Sequence, residues 1–343
     1  MINKGCFSVK LSILDQSPVS IGTTSQAALE ATVELAALAD GLGYTRYWTA
    51  EHHDMDSLAS PAPDIMLGMI GQRTQRIRIG SGAVLLPNYR PYNVVERYNM
   101  LATLFPGRVD LGLGRAPGGS AEVSMALVDN FLKRVGEMPD ALDELVHFIK
   151  ADFPKENLYS RITASPVPET PPVPWLLGTS GKSAMLAAEK GLPYVFGDFM
   201  SKENGPEIVR NYRKHFFENN PKQKPNAIVT VYAICANTTE AAEEIALSSH
   251  LWKIKHAKMN EDKRVPTIDE AKKYKYSEKD LKSIERLKNK QLIGNPKEVK
   301  AQLEEIQTMY EVDEIMVVTI THSYEDRKRS YQLLAEEFGL TGN

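Results

Sequence analysis

Four stretches of this sequence combine residue types that could hold an anion, move a proton or admit a flat ligand. The first is Trp175-Leu-Leu-Gly-Thr-Ser-Gly-Lys-Ser183. It reads as an apolar strand end, a small-residue turn and the start of a helix. Gly181-Lys182-Ser183 imitates the end of a nucleotide-triphosphate loop, but that motif needs a glycine where Leu176 stands, so the spacing excludes it. What remains is Gly178, Thr179, Ser180, Gly181 and Ser183 at a strand-to-helix turn. Unpaired N–H groups at such a helix start, together with hydroxyls, can cradle a dianionic phosphate. A plain turn with serine capping is the competing reading.

The second stretch, Leu111-Gly-Leu-Gly-Arg-Ala-Pro-Gly-Gly119, is a near-match to a dinucleotide fingerprint with Pro117 where the third glycine belongs. Its useful residue is Arg115, which follows glycines and is a natural phosphate partner, though a surface ion pair would explain it equally. The third, Thr49-Ala-Glu-His-His-Asp54, invites a metal reading. Adjacent residues on extended chain point to opposite sides, so His52 and His53 are poor partners for one ion and no metal is expected. One histidine here is better read as an acid/base or hydrogen-bonding group, or as a structural histidine. The fourth, Ile79-Gly-Ser-Gly-Ala-Val-Leu-Leu-Pro87, has two glycines in a strand, which mark a bulge or the close approach of something flat.

The elements that must position these residues alternate along the chain. Strands are expected over Val9–Asp15, Thr45–Ala50, Arg76–Leu86, Arg108–Gly114, Val173–Leu177, Pro193–Gly197, Ala227–Ala236 and Glu314–Thr319. Helices are expected between them. One runs from Thr23 to Gly41 with Thr23 and Gln26 at capping-box spacing, and another is opened by Pro61. Asn295-Pro296-Lys297-Glu298 and Ser323–Asp326 give two further helix starts. Eight strands alternating with helices imply a parallel sheet. With no break into halves, a closed (β/α)8 TIM barrel is favoured over an open doubly wound sheet. The chain is read as one domain, 1–343, with insertions at about 116–172 and 250–292 on the C-terminal face, where active-site loops sit.

Composition narrows the class. Of 343 residues, 42% are hydrophobic and 25% charged, which is ordinary globular material, and the formal charge of −3 argues against a nucleic-acid binder. No apolar run is long enough to span a membrane, and Met1–Lys10 lacks the apolar core of a leader. Cys6 and Cys235 are too few for a disulfide framework or cysteine metal site. A cytoplasmic protein is expected. Charge is uneven: Lys253 to Lys290 holds 13 Lys and Arg against 7 Asp and Glu. That run reads as a solvated helical face or loop, or more sharply as a lid that attracts anionic ligands.

Taken together, these stretches resemble the bacterial luciferase-like flavin monooxygenases, in particular the branch of luciferase-family oxidoreductases. The resemblance runs from Leu11-Ser-Ile-Leu-Asp-Gln-Ser-Pro18 to Glu336-Glu-Phe-Gly-Leu340. Its specific parts are Ala50-Glu-His-His53, Arg78–Pro87, Pro106–Gly118, Leu177-Gly-Thr-Ser-Gly181 and Val312-Asp-Glu-Ile-Met-Val317. The resemblance implies a TIM barrel with FMN at its C-terminal mouth. It implies a non-proline cis peptide against the flavin at Ser81-Gly82 and a phosphate site made by Arg115, Ser180 and Ser183. Thr179 would lie near the ribityl chain, and His52 would be the catalytic histidine, with His53 the weaker match. Gly114 stands where luciferase has a reactive cysteine. Arg134 is a candidate second phosphate arginine by approximate spacing only.

The function so implied is a two-component FMN-dependent monooxygenase, using reduced FMN from a separate NAD(P)H:flavin reductase and O2 to oxygenate a small organic substrate. A homodimer without nucleic-acid or membrane partners is expected. The alternatives are an F420-dependent oxidoreductase of the same fold and a non-catalytic flavin-binding protein.

Overall fold

The computed structural model describes residues 9–258 and 262–342. Cys6 and the Met1–Ser8 part of the segment read against a leader lie outside them. Ten strands occur among the described residues: β1 Lys10–Asp15, β2 Arg46–Thr49, β3 Arg78–Ser81, β4 Val84–Leu85, β5 Val109–Gly114, β6 Val173–Gly178, β7 Tyr194–Gly197, β8 Ala227–Cys235, β9 Gln291–Gly294 and β10 Glu314–Val318. Eight of them pair in parallel in the order β1-β2-β3-β5-β6-β7-β8-β10, and β10 pairs back to β1. The sheet is therefore a closed eight-stranded (β/α)8 barrel.

Two strands stand outside the ring. The run expected as one strand from Arg76 to Leu86 breaks after Ser81, and its second piece, β4, pairs with β5. The short β9 pairs with the end of β8 and has no counterpart among the eight expected strands. Helix starts also shift. The first helix spans Ser25–Leu42 with Thr24, not Thr23, as its cap, accepting the Ala27 N–H at 3.1 Å. Gln26 turns away to Glu30. The second helix opens at Pro63 rather than Pro61. The Asn295–Glu298 start forms a reciprocal capping box, and the Ser323 hydroxyl accepts the Asp326 N–H at 3.1 Å.

Period two along each strand sorts the side chains into two sets. Ile13, Tyr47, Ile79, Leu111, Phe196, Val229 and Val317 pack outward against the helices. Leu14, Trp48, Trp175, Val195, Ile228, Tyr232 and Met316 turn into the lumen. The lumen's lower end, where the strands start, is filled by charge. Arg46 donates to Asp110 at 2.7 Å and to Glu314 at 2.6 and 3.0 Å, while Arg78 reaches Asp110 at 2.6 Å. Ser12 and the Trp48 indole N–H supply further donors to the same carboxylates. Two cations and two anions balance, so the plug is neutral.

The helix Thr239–His256, which follows β8, does not simply return along the barrel wall. It starts where the Thr239 hydroxyl meets Glu298 and ends where the His256 ring lies 3.0 Å from the Ser57 hydroxyl, in the loop after β2. It therefore passes over the tops of β10 and β1. Ala242, Ala246 and Trp252 on it are buried with the lumen side chains. Among the described residues no helix is long and apolar enough to cross a membrane.

Removing one member of the lumen plug leaves a buried carboxylate uncompensated. Arg46→Ala is expected to cost about 3–5 kcal/mol of unfolding free energy, read as a lowered urea midpoint with an unchanged slope.

Candidate active site

The loop after β2 separates its two histidines. Glu51 is buried and its carboxylate accepts from His53 Nε2 at 2.8 Å, from the Tyr89 hydroxyl at 3.0 Å and from the Leu85 N–H at 3.1 Å. The His53 backbone N–H also donates to the Gly118 carbonyl at 2.8 Å. His53 is therefore spent on fixing the loop, which fits its place as the weaker candidate. His52 points the other way, into a cavity at the barrel mouth. Its backbone N–H is held by the Ser60 carbonyl at 3.0 Å, and its ring Nδ1 is buried with no partner among the described residues. Burial, then the charges of His53, Lys253 and His256, push its pKa down to about 4. The ring is neutral at neutral pH and has one unsatisfied nitrogen.

The strand-three motif forms one wall. A non-proline cis peptide is present, between Gly82 and Ala83 rather than between Ser81 and Gly82 as the resemblance implied. Gly82 and Ala83 both line the cavity. A side chain at Gly82 would begin 2.4 Å from Leu14 Cδ1, so only glycine leaves this wall flat. Ser81 falls on the opposite side of the pleat. It is fully buried and its hydroxyl donates to the Gly112 carbonyl at 2.9 Å, so the structure does not bring it to the cavity.

Strand β5 ends at Gly114, and Arg115 emerges onto the cavity rim. Arg115 is exposed and makes no ion pair or hydrogen bond with any described residue. Arg134 does not join it. It sits on the short helix Phe131–Gly136, donates to the Tyr89 carbonyl at 3.2 Å and lines a separate hollow with Arg90, Glu137 and Glu144.

The turn after β6 closes the other end. Gly178, Thr179, Ser180 and Ser183 all line the cavity, at the start of the helix Gly181–Glu189. Ser180 caps that helix, and the Ser183 hydroxyl donates back to the Ser180 carbonyl at 2.8 Å. A Cβ on Gly178 would lie 2.1 Å from Ser183 Oγ, so glycine is what lets the helix start sit this close to the strand. Gly181 does not line the cavity. Its N–H donates to the Glu203 carboxylate at 3.2 Å. An anion already sits at this helix start, as the exposed N–H groups and helix dipole favour.

The cavity measures about 440 Å³, within the roughly 300–1,000 Å³ of small-molecule sites. Its floor and sides are apolar (Leu14, Leu85, Leu177, Val195, Phe199). Polar groups lie at its two ends: Arg115 with the serine turn, and His52 with Gln16. A flat molecule carrying a phosphate fits this distribution. The sequence pattern that defines the luciferase-like monooxygenases matches residues 9–310. The chain belongs to that family. Among its relatives, protein YceB of Bacillus subtilis (strain 168) is 43% identical over 96% of this chain and 99% of its own. The N-acetyl-S-alkylcysteine monooxygenase of the same organism is 33% identical over 96% and 98%. The crystal structure of apo-MsnO8 superposes with a TM-score of 0.87 at 35% identity, covering 98% and 99% of the two chains.

Several lining residues of this luciferase-like site went unread in the sequence. Gln16, Phe199 and Met200 lie just beyond strand ends, and that position was the available signal, since barrel sites are built from strand C-termini; Thr230 lines the cavity from within β8. Two outcomes follow from the site's electrostatics. The His52 C2 proton should titrate with a midpoint near 4 by NMR, not near the usual 6.5. Because the unfolded chain takes up that proton first, His52 subtracts stability as pH falls from about 6.5 towards 4. At the helix start, Glu203→Gln removes a competing charge and should strengthen binding of inorganic phosphate by about two- to fivefold, measured by calorimetry.

Proposed function

We propose that this protein is an FMN-dependent, two-component monooxygenase acting on a small organic substrate. One observation carries the reading: a single cavity gathers His52, the Gly82–Ala83 wall, Arg115 and the Gly178–Ser183 turn. The residues suit the cofactor at both ends. Arg115, unpaired on the rim, and the Thr179, Ser180 and Ser183 hydroxyls at a helix start would hold the phosphate. The flat glycine wall and the apolar floor would support the ring. Bound reduced FMN would supply the two electrons that activate O2, one oxygen atom passing to the substrate and the other to water.

The chain's own part is positioning, water exclusion and proton handling. Leu85, Leu177, Val195 and Phe199 keep the cavity's middle apolar, which favours reaction at the substrate over leakage to water. His52, neutral and with an unpartnered Nδ1, can accept a proton there and return it. That retained ring supports an enzyme over a passive flavin carrier. The N-acetyl-S-alkylcysteine monooxygenase relative supports a small organic substrate here. The reading takes with it a separate NAD(P)H:flavin reductase and a homodimer. A monomeric mass by light scattering would remove the second.

The deciding measurement is titration of the protein with FMN, riboflavin and F420. FMN should bind tightest, and riboflavin more weakly for want of the phosphate. Arg115→Ala should weaken FMN about tenfold and leave riboflavin unchanged. Tighter binding of F420 than of FMN would replace this reading with the deazaflavin one.

A further inference from the structure

We propose that this protein selects substrates bearing a carboxylate, and that Lys253 is the residue that receives it. The inference rests on the monooxygenase reading for what then happens to the substrate, not for how the anion is bound. Lys253 is on the helix that passes over the barrel rim, one turn before His256. Since His256 reaches Ser57, this end of the helix is set against the loop that carries His52. The Lys253 ammonium lies 4.8 Å from the centre of the Trp252 ring, and Trp252 is itself pinned by its indole N–H on the Lys263 carbonyl at 2.8 Å. An aromatic face steadies a cation without neutralising it.

Among the described residues no acid pairs with it either. Lys253 is partly buried, and no described residue gives it an ion pair or a hydrogen bond. The described acids nearby are engaged elsewhere or exposed to solvent. Glu51 is taken by His53, Tyr89 and Leu85; Asp262 is paired with Arg264, and Asp280 with Lys258. Asp54 and Asp56 are exposed to solvent in a hollow that His256, Lys263 and Arg264 also line. The other titratable neighbours, His52, His53 and His256, can only be neutral or positive. Burial pushes the Lys253 pKa down, the direction expected for a cation short of counter-charge. A half-desolvated lysine with no ion-pair partner among the described residues is stabilised by an arriving anion. The excess of 13 basic over 7 acidic residues from Lys253 to Lys290 favours the approach of that anion to a chain that is negative overall.

The arrangement also divides the work. A carboxylate held at Lys253 leaves the uncharged part of the molecule to extend past His52 into the apolar cavity. Lys253 is thereby a specificity residue, and it touches neither the phosphate turn nor the flat wall.

The test uses two acid and amide pairs as probes: benzoate with benzamide, and N-acetyl-S-methylcysteine with its primary amide. Binding is measured by calorimetry to the flavin-free and the FMN-saturated protein, for wild type, Lys253→Gln and Lys253→Arg. Wild type should bind at least one acid about tenfold or more tightly than its amide. The preference should vanish in Lys253→Gln, persist in Lys253→Arg, and shrink with added salt. FMN affinity should be the same in all three proteins. If neither acid is preferred, or if Lys253→Gln keeps the preference, the proposal is overturned. Should Lys253→Gln not unfold cooperatively, wild type and Lys253→Arg decide by the same comparison. A Lys253-dependent preference in a protein that fails to bind FMN would sink the flavin reading and leave this one standing.

Discussion

Filling the barrel lumen is the constraint on which the rest of this structure depends. An eight-stranded barrel is just wide enough for its inward side chains to fill it. Here the lower end takes two arginines and two carboxylates, Arg46, Arg78, Asp110 and Glu314. Above them, Trp48 and Trp175 pack edge to face at 5.7 Å, with Arg46 4.8 Å from the Trp175 ring. Such bulk fits only because facing positions are empty. A Cβ on Gly80 would sit 2.7 Å from the Trp48 indole nitrogen. Buried charge of this kind is weak evidence of stability in itself. Its four charges come from four different strands, so it ties the start of the ring together and fixes which side of each strand faces inward.

The same alternation then empties the mouth. One layer higher the inward positions include Gly82, Gly114 and Gly197, and no tryptophan. The hollow left there is the site. The candidate catalytic and binding groups are carried on the strand ends around it, and two of the segments that bear them are locked by further contacts. Glu51 holds the loop of His52 through His53, Leu85 and Tyr89, and the Ser180–Ser183 pair holds the turn. Over the rim, the Thr239–His256 helix buries Ala242, Ala246 and Trp252 against lumen residues. It thereby carries part of the basic segment inward, where a solvated face would have left it outside.

Much of this was legible in the residues. The strands of a parallel barrel are buried on both sides and read as apolar runs, so eight of them could be counted. Phosphate-type turns and strand-end histidines stand at glycine-rich strand ends, which is why His52, Arg115 and the Gly178–Ser183 stretch pointed to one site. Some misses were local. The pleat alone turns Ser81 away from Gly80 and Gly82, and Gln-Leu-Ile-Gly at 291–294 is too short between charged runs to read as a strand. Others were not local: nothing near Gly181 in sequence says that Glu203 will occupy its N–H, and approximate spacing sent Arg134 to the wrong cavity.

The sequence by itself determined the alternation of strands and helices, the glycines that had to be small and the family these patterns resemble. Those follow from period, sterics and residue chemistry within a dozen positions. Tertiary structure alone decided that His52 and not His53 faces the hollow, that the cis bond falls after Gly82, and that Lys253 comes to the loop of His52 with no ion pair to any described residue. Each of these depends on the closure of the ring, which sets residues hundreds of positions apart side by side and lets burial and missing partners, rather than residue type, fix what a side chain can do.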